Sequence, residues 1–229
     1  MLEQLKEEVC RANLVLVEQG LVTLTWGNVS GLSEDGRFMV IKPSGVPYDQ
    51  MTPDQMVVVD LEGNIVESAL RPSSDTPTHL VLYKHFAGVR GITHTHSCEA
   101  TAYAQARREI PCLGTTHADH FYGSIPVTRP LSEEEVTEGY EAHTGRVIVE
   151  RFATLDPLAM PAVLVAGHAP FTWGRSPAAS ANNAVALEAV AALSRRTCEL
   201  TEVPPPLESY VLEKHYQRKH GSAAYYGQA

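Results

Sequence analysis

The sequence predicts an α/β fold in three layers built around one sheet. Short runs rich in Val, Ile, Thr and aromatic residues, a composition typical of strands, are mixed along the chain with segments of helical periodicity. The 229 residues contain no internal repeat and no flexible linker long enough to divide domains. We therefore expect one domain over residues 1–229.

The composition is that of an ordinary globular protein with an acidic balance. Hydrophobic residues make up 44% of the chain and charged residues 20%, and the formal net charge is −9. This charge disfavours a general nucleic-acid surface, because phosphate backbones are bound by clustered Lys and Arg. The four cysteines form no CxxC pair, the N-terminus lacks the cationic start of a signal peptide, and no apolar stretch approaches membrane-spanning length. We expect a cytoplasmic protein with reduced thiols that binds neither nucleic acid nor a membrane.

The first third of the chain is predicted to form one helix and three strand segments. Apolar residues recur at three- and four-residue steps from Leu2 to Leu16, which predicts an amphipathic helix that ends at Gly20. The predicted strand segments are 21–31, 37–45 and 55–67. Within the third segment, Gly63 and Asn64 predict the turn of a hairpin.

Helices and strands alternate in the rest of the chain. The first of these helices begins with an Asp or Thr cap and a Pro just inside it, and Ser132 and Glu135 have capping-box spacing at the start of another. The predicted helices are 75–86, 98–108, 131–153, 176–201 and 210–220. The predicted strands are 88–97 and 160–174, and the second of them is buried and ends in a loop.

The stretch "GITHTHS" places two histidines at the end of a predicted strand. Side chains at i and i+2 of a strand project from the same face, so His94 and His96 are expected to lie side by side. Such a pair is a natural start of a metal site, although by itself it also fits two histidines bonded to backbone carbonyls. Cys98 is near enough in sequence to be a soft ligand, but a small, partly buried side chain is the better interpretation.

Two further residues have the chemistry to complete a metal site. Asp75 stands at the start of a predicted helix, and His168 follows an apolar strand in "VAGHAPF". Three imidazoles and one carboxylate form a suitable shell for Zn²⁺, with Mn²⁺ or Co²⁺ as substitutes. The sequence alone does not place Asp75 or His168 in space, so this ligand set is a hypothesis.

Three short segments, "WGNVSG", "KPSGV" and "RPSSD", put Gly, Ser or Asn directly after strand-like runs. Turns of this composition present backbone N–H groups and hydroxyls to an anion without net positive charge, and Lys42 adds a point charge. Each segment alone is more often an ordinary tight turn. The three together predict a phosphate cradle.

Two features near the C-terminal half have less specific chemistry. Asp119 lies between two histidines in "GTTHADHFYG", where a carboxylate is either a general acid or base, or simply a helix cap or solvated charge. From the residues alone the second interpretation is favoured. The adjacent tyrosines Tyr225 and Tyr226 in the tail predict docking onto the fold or a neighbouring subunit, because chain ends are usually polar and disordered. A docked phenol is a proton donor.

Taken in order, these motifs resemble the L-ribulose-5-phosphate 4-epimerases of the class II aldolase/adducin family, nearly end to end. The segments that carry the resemblance are "NLVLVEQGLVTLTWGNVS", "IKPSGVPYDQMTPDQMVVVD", "RPSSDTPTH", "GITHTHS", "GTTHADHFYG", "GHAPFTWG" and "KHYQRKHGSAAYYGQ". The departures are small: His120 stands where the family usually has Tyr, the residues before His168 vary, and one Ala follows the terminal Gln. The resemblance implies a three-layer α/β/α class II aldolase-like fold with a central, mainly antiparallel sheet.

The resemblance also implies a role for each matching residue. The implied metal ligands are Asp75, His94, His96 and His168. The implied phosphate-binding residues are Gly27, Asn28, Ser44, Gly45, Ser73 and Ser74, to which the point charge of Lys42 is added from the loop analysis. The implied proton donor and acceptor are Asp119 and Tyr226, with His215 and Arg218 as supporting residues.

The implied reaction interconverts L-ribulose 5-phosphate and D-xylulose 5-phosphate by cleaving and re-forming C3–C4, in arabinose or ascorbate catabolism. The implied assembly is a cyclic homotetramer with sites at subunit interfaces, which the C-terminal helix and tail (about 207–229) complete. The alternative is an aldolase of the L-fuculose-phosphate type, although those relatives usually carry Glu where Asp75 stands. A non-enzymatic adducin-like scaffold is a further alternative, which the intact set of three His and one Asp disfavours.

Overall fold

The computed structural model describes residues 2–222 and 224–225. Its helices are α1 (Leu2–Glu18), α2 (Thr76–His85), α3 (Cys98–Gln105), α4 (Thr115–Ala118), α5 (Glu133–Arg151), α6 (Pro177–Leu200) and α7 (Ser209–His220). Its strands are β1 (Asn28–Leu32), β2 (Phe38–Ile41), β3 (Val57–Asp60), β4 (Ile65–Glu67), β5 (Gly91–His94), β6 (Ala162–Leu164) and β7 (Pro170–Gly174). None of the helices in this part of the chain is long and apolar enough to cross a membrane.

The seven strands form one antiparallel sheet in the order β4-β3-β2-β1-β5-β7-β6. Neighbouring residues of a strand face opposite sides of the sheet. Met39 of β2 accordingly belongs to the core that contains Leu82 of α2, whereas Val40 belongs to a second core with Val9 of α1. Helices therefore cover both faces of the sheet. This confirms the predicted three-layer α/β fold with a mainly antiparallel sheet.

Local sequence features explain where α5 begins and why it packs closely against α2. Ser132 and Glu135 form the predicted capping box, in which the Ser132 hydroxyl accepts from the Glu135 N–H and the Glu135 carboxylate accepts from the Ser132 N–H. Gly145 lies where α5 crosses α2, and a Cβ at this position would come within 2.7 Å of the Val81 Cβ. The two helices approach this closely because Gly145 has no side chain.

Several predicted strand boundaries are wrong. The segment 21–31 is a strand only from Asn28, and the segment 88–97 ends at His94, so His96 lies in the following loop. The segment 160–174 is two strands rather than one, because the chain reverses between β6 and β7. Gly167 makes this reversal with φ +73, in a turn where the Val165 N–H bonds to the Ala169 carbonyl at 3.0 Å. The turn was not predicted, because the residues on both sides of it are apolar and continue one strand-like pattern.

Candidate active site

The start of β1, the end of β5 and the start of β7 lie side by side at one end of these neighbouring strands and form the wall of a cavity. In the antiparallel register, Asn28 at the start of β1 pairs with His94 at the end of β5, and His94 pairs with Phe171 near the start of β7. The cavity has a volume of about 550 Å³. Its lining residues are Thr25, Trp26, Gly27, Asn28, Lys42, Pro43, Ser44, Gly45, Ser73, Ser74, Asp75, His94, His96, Tyr140, Glu141 and His168. All four predicted metal ligands and all seven predicted phosphate-binding residues are among them.

Three imidazoles lie together in this cavity. His94 is buried at the end of β5, His96 is exposed in the loop that follows, and His168 lies in the turn between β6 and β7. Their nitrogen donors all lie within 4.8 Å of one another, and the Nε2 atoms of His94 and His96 are 3.1 Å apart. The HxH pair therefore converges, but through a strand end and a loop rather than through one strand face.

The Asp75 carboxylate faces the imidazoles from the start of α2. Its Oδ2 lies 4.0 Å from Nε2 of His94 and accepts a hydrogen bond from Nδ2 of Asn28 at 2.6 Å. Burial by itself raises the pKa of Asp75, but the nearby His94 and the hydrogen bond from Asn28 outweigh it and hold the pKa below its usual value. Asp75 is therefore ionised at neutral pH, which is the form that binds a metal.

His96 and His168 also have the protonation state that a metal requires. Burial, followed by the neighbouring His94 and His96, lowers the pKa of His168 to about 4, and burial lowers the pKa of His96 as well. The Pro170 carbonyl lies 2.9 Å from Nδ1 of His94, an arrangement typical of metal-binding histidines because it fixes the tautomer. Nδ1 of His168 is buried without a partner among the described residues. This donor set fits a divalent ion such as Zn²⁺.

A buried polar layer behind His94 was not predicted. The ring of Phe171 stacks on His94 with centroids 4.1 Å apart, and His79 packs edge-on against Phe171 with centroids 6.0 Å apart. Nδ1 of His79 is 2.7 Å from the Ser30 hydroxyl, which is 2.8 Å from the Tyr83 hydroxyl. Burial lowers the pKa of His79 to about 3, so the ring is neutral. The spacing of His79 and Tyr83, four residues apart on one helix face, is the signal that identifies this layer.

The small-residue loops surround the same cavity. Gly27 has φ +77, and a Cβ there would lie 2.8 Å from Val22 Cγ1 and 3.0 Å from the His94 carbonyl, so only glycine fits this loop. The loops of Lys42 and Ser73 are joined by a backbone bond of 3.0 Å from the Ser73 N–H to the Lys42 carbonyl. The Ser73 hydroxyl accepts from Nδ2 of Asn28 at 3.1 Å. Ser73 also lies just before α2. The loops and the N-terminus of a helix therefore border the same cavity, an arrangement that is typical of anion-binding sites.

Lys42 brings a buried positive charge to these loops. Only 2% of the residue is exposed, and burial lowers its pKa to about 8. Its Nζ lies 3.4 Å from the Thr25 carbonyl and 3.3 Å from the Pro43 carbonyl, and it sits over the ring of Tyr48, 4.8 Å from the centroid. Within the described part of the chain, Lys42 forms no ion pair with a carboxylate. The ammonium is therefore available to an anionic ligand.

Two cavity residues, Tyr140 and Glu141, were not predicted. They follow Gly139, where the backbone of α5 leaves helical geometry (φ 165, ψ 81). The kink brings both residues to the cavity, with the Tyr140 ring 5.9 Å from that of His168. The Glu141 carbonyl accepts from the Thr78 hydroxyl at 2.6 Å. A glycine in the middle of a predicted helix was the available signal for this break.

Asp119 lies in a separate polar cluster between α4 and α7, and it does not line the cavity of its own chain. Its carboxylate accepts hydrogen bonds from Arg218 at 3.0 and 2.7 Å and lies 3.1 Å from Nδ1 of His215. Burial raises the pKa of Asp119, but Arg218 and His215 outweigh it and hold the pKa below its usual value. The structure therefore brings Asp119, His215 and Arg218 together, whereas Tyr226 lies outside the described residues.

Two other sequence features have a defined position. Cys98 is exposed rather than partly buried, because it is the first residue of α3 at the surface, and it is not part of the histidine cluster. His120, which follows Asp119, is half-buried, and burial lowers its pKa.

Comparisons with known proteins agree with this architecture. Residues 7–194 match the family model of the Class II Aldolase and Adducin N-terminal domain. Proteins named L-ribulose-5-phosphate 4-epimerase UlaF from Salmonella paratyphi C (strain RKS4594) and Salmonella typhi are each 49% identical over 227 residues, which cover 99% of this chain and 100% of theirs. A solved L-fuculose 1-phosphate aldolase is similar with a TM-score of 0.79 and 24% identity, covering 94% of this chain and 95% of that one. The last similarity concerns the fold alone.

Proposed function

The chain belongs to the class II aldolase and adducin family, and we propose that it is a metal-dependent epimerase that interconverts L-ribulose 5-phosphate and D-xylulose 5-phosphate. The observation that carries the proposal is one cavity in which three histidines and an aspartate lie beside three small-residue loops and a buried lysine. Such a cavity offers a place for a divalent ion and for a phosphate. The Salmonella relatives that carry the name of this activity align with 99% of this chain.

We assign the divalent ion as Zn²⁺, with Mn²⁺ or Co²⁺ as substitutes. The residues that would hold it are Asp75, His94, His96 and His168. When bound, the ion supplies Lewis acidity and positive charge where negative charge develops on the sugar ketone. The chain's own contribution is to keep His96 and His168 neutral by burial and the Asp75 carboxylate ionised.

The phosphate loops have a specific task in this chemistry. The C4 hydrogen of the sugar is not adjacent to the C2 carbonyl and is not acidic, so direct deprotonation at C4 is unfavourable. Breaking C3–C4 instead, with loss of the C4 hydroxyl proton, leaves the bonding electron pair on the enediolate of dihydroxyacetone (C1–C3) and separates glycolaldehyde phosphate (C4–C5). Attack of the enediolate on the other face of the aldehyde re-forms the bond, returns a proton to the C4 oxygen and inverts C4. Lys42 and the loops of Gly27, Ser44 and Ser73 would hold the phosphate while the aldehyde turns, so that it does not leave.

Asp119 and Tyr226 are proposed to exchange the proton of the C4 hydroxyl. The C4 oxygen points in opposite directions in the two epimers, so one group on each face of the aldehyde is needed. Arg218 and His215 would orient the Asp119 carboxylate through the hydrogen bonds described above. A positioned acid or base of this kind contributes about 10²–10⁴-fold to the rate.

The separation of the Asp119 cluster from the cavity supports a site shared between subunits. We propose a homotetramer in which the Asp119 cluster and the tail of one subunit complete the cavity of its neighbour. Each chain then acts as a single domain of residues 1–229, and the segment from about 207 to 229 serves the neighbouring cavity.

An aldolase that releases free aldehyde is the second candidate, because solved aldolases share the fold. The short side chain of Asp75 favours the epimerase, since it is held by Asn28 at 2.6 Å beside His94 and is suited to remain a metal ligand. A longer Glu would be better suited to move as an acid or base. The two candidates differ in whether glycolaldehyde phosphate leaves the cavity.

Incubation of purified protein with L-ribulose 5-phosphate, with and without a chelator, tests the proposal. We expect D-xylulose 5-phosphate to form, to stop forming after metal removal and to form again when Zn²⁺ or Mn²⁺ is restored. Accumulation of free glycolaldehyde phosphate as the main product would favour the aldolase. Absence of both products from metal-loaded protein would show that the substrate is wrong.

A further inference from the structure

We infer that Tyr48 is a positioning residue for the anion site, whose hydroxyl holds the loop at Trp26 and Gly27 and whose ring holds the ammonium of Lys42. This inference rests on the proposed function, because it assumes that the cavity binds a phosphate. Tyr48 is not among the lining residues, so it acts through the groups that are. It opens a single 3₁₀ turn, Tyr48–Gln50, after the "KPSGV" loop and is 6% exposed.

The hydroxyl of Tyr48 contacts two successive carbonyl groups. It is 2.9 Å from the Trp26 carbonyl and 3.0 Å from the Gly27 carbonyl. Burial raises the pKa of Tyr48 far above its usual value, so the phenol remains a hydrogen-bond donor at every working pH. In a planar peptide the carbonyl direction also sets the direction of the next N–H. Tyr48 therefore orients the N–H groups of Gly27 and Asn28, and both residues line the cavity.

The ring of Tyr48 gives Lys42 a neighbour that carries no negative charge. The Lys42 ammonium lies 4.8 Å from the ring centroid, within the range of a cation–π contact, and its two carbonyl partners are at the long distances of 3.3 and 3.4 Å. A carboxylate in this position would neutralise the lysine and repel a phosphate. An aromatic face stabilises the buried cation and leaves its charge for the ligand.

Two substitutions separate the two roles. Tyr48→Phe removes the hydroxyl and keeps the ring, and Tyr48→Leu removes both. Tyr103→Phe is the matched control, because it removes a hydrogen bond of 2.9 Å from a tyrosine hydroxyl to Ser194. This bond lies between α3 and α6, away from the cavity. Binding of inorganic phosphate to the zinc-loaded protein is measured by calorimetry, zinc affinity by chelator competition, and KM and kcat with L-ribulose 5-phosphate.

We expect Tyr48→Phe to bind phosphate about three- to tenfold more weakly than the wild type, as for loss of one buried hydrogen bond. Tyr48→Leu should bind about threefold more weakly again, because the cation–π contact is lost too. The loss should show mainly in KM, while zinc affinity stays within about twofold of the wild type and Tyr103→Phe matches the wild type in both affinities.

The outcomes distinguish this inference from the proposed function. Equal phosphate binding by Tyr48→Phe and an active wild type would overturn the inference and leave the function intact. A parallel loss of zinc affinity would also overturn it, since the role of Tyr48 would then be general folding. A wild type that neither binds phosphate nor converts the sugar would overturn the function and the inference with it. If Tyr48→Leu does not fold, Tyr48→Phe and its control decide.

Discussion

Replacement of Lys42 by Met should stabilise the protein and impair it at the same time. Lys42 is 2% exposed, and its pKa falls from the ordinary 10.5 to about 8 because of burial. Met keeps the length and flexibility of the side chain without the charge, so the space stays filled. The substitution therefore removes the cost of a buried ammonium together with the proposed phosphate contact.

The magnitude follows from the difference between the two pKa values. At about 1.4 kcal/mol for each pH unit, the difference between 10.5 and about 8 corresponds to roughly 3–4 kcal/mol of lost stability at neutral pH. The contact between the Lys42 ammonium and the Tyr48 ring offsets about 1–2 kcal/mol of this loss of stability. We expect the free energy of unfolding of Lys42→Met to exceed that of the wild type by about 1–3 kcal/mol at pH 7.

The pH dependence has a defined sign. Below about pH 8 Lys42 is charged in both the folded and the unfolded chain, so burial of the ammonium destabilises the folded chain to its full extent. Between about pH 8 and 10.5 the unfolded chain binds more protons than the folded chain, and the contribution of Lys42 to stability rises with pH. The advantage of Lys42→Met should therefore shrink as the pH rises through this window.

Urea unfolding at pH 7 and at pH 9.5 measures both effects. Lys84→Met is the matched control, since Lys84 is an exposed lysine of α2 and its loss changes the net charge equally. Lys42→Met should also raise KM for the sugar phosphate at least about tenfold and lose the stabilisation that inorganic phosphate gives the wild type. A Lys42→Met protein that is less stable than the wild type at pH 7, or equally protected by phosphate, would refute the reasoning.

Four other substitutions test the site and the fold. Asp119→Asn should lower turnover at least about tenfold while metal content is unchanged, and full turnover would exclude this carboxylate as the acid or base. If the Asp119 cluster serves a neighbouring cavity, refolding inactive Asp119→Asn chains together with inactive His96→Asn chains should restore about a quarter of wild-type activity, whereas sites contained within one chain would regain none. Gly145→Ala places a Cβ 2.7 Å from the Val81 Cβ and should lower the free energy of unfolding by about 1–3 kcal/mol. Gly139→Ala, with nothing within 4 Å of its Cβ, should change it by less than about 1 kcal/mol, and equal effects in urea unfolding would contradict the packing argument.

Much of the fold was predictable because its signals are local. The capping box of Ser132 and Glu135, the apolar face of α1 and the hairpin turn near Gly63 depend on residues a few positions apart. Periodicity over such short stretches reports helix or strand directly. The reversal at Gly167 was missed for the same reason, because apolar residues on both sides of it continue one strand-like pattern.

The sequence by itself determined which donor groups the protein has: imidazoles, a carboxylate beside a helix start, small-residue loops and one lysine among them. Only the tertiary structure decided that these groups share a cavity, because residues as distant in sequence as Asn28 and His168 meet through the order and register of β1, β5 and β7. The same long-range pairing sets Asp119 apart from that cavity and places Tyr48 under Lys42. Contacts between distant segments depend on how the whole chain packs, and no local pattern encodes them.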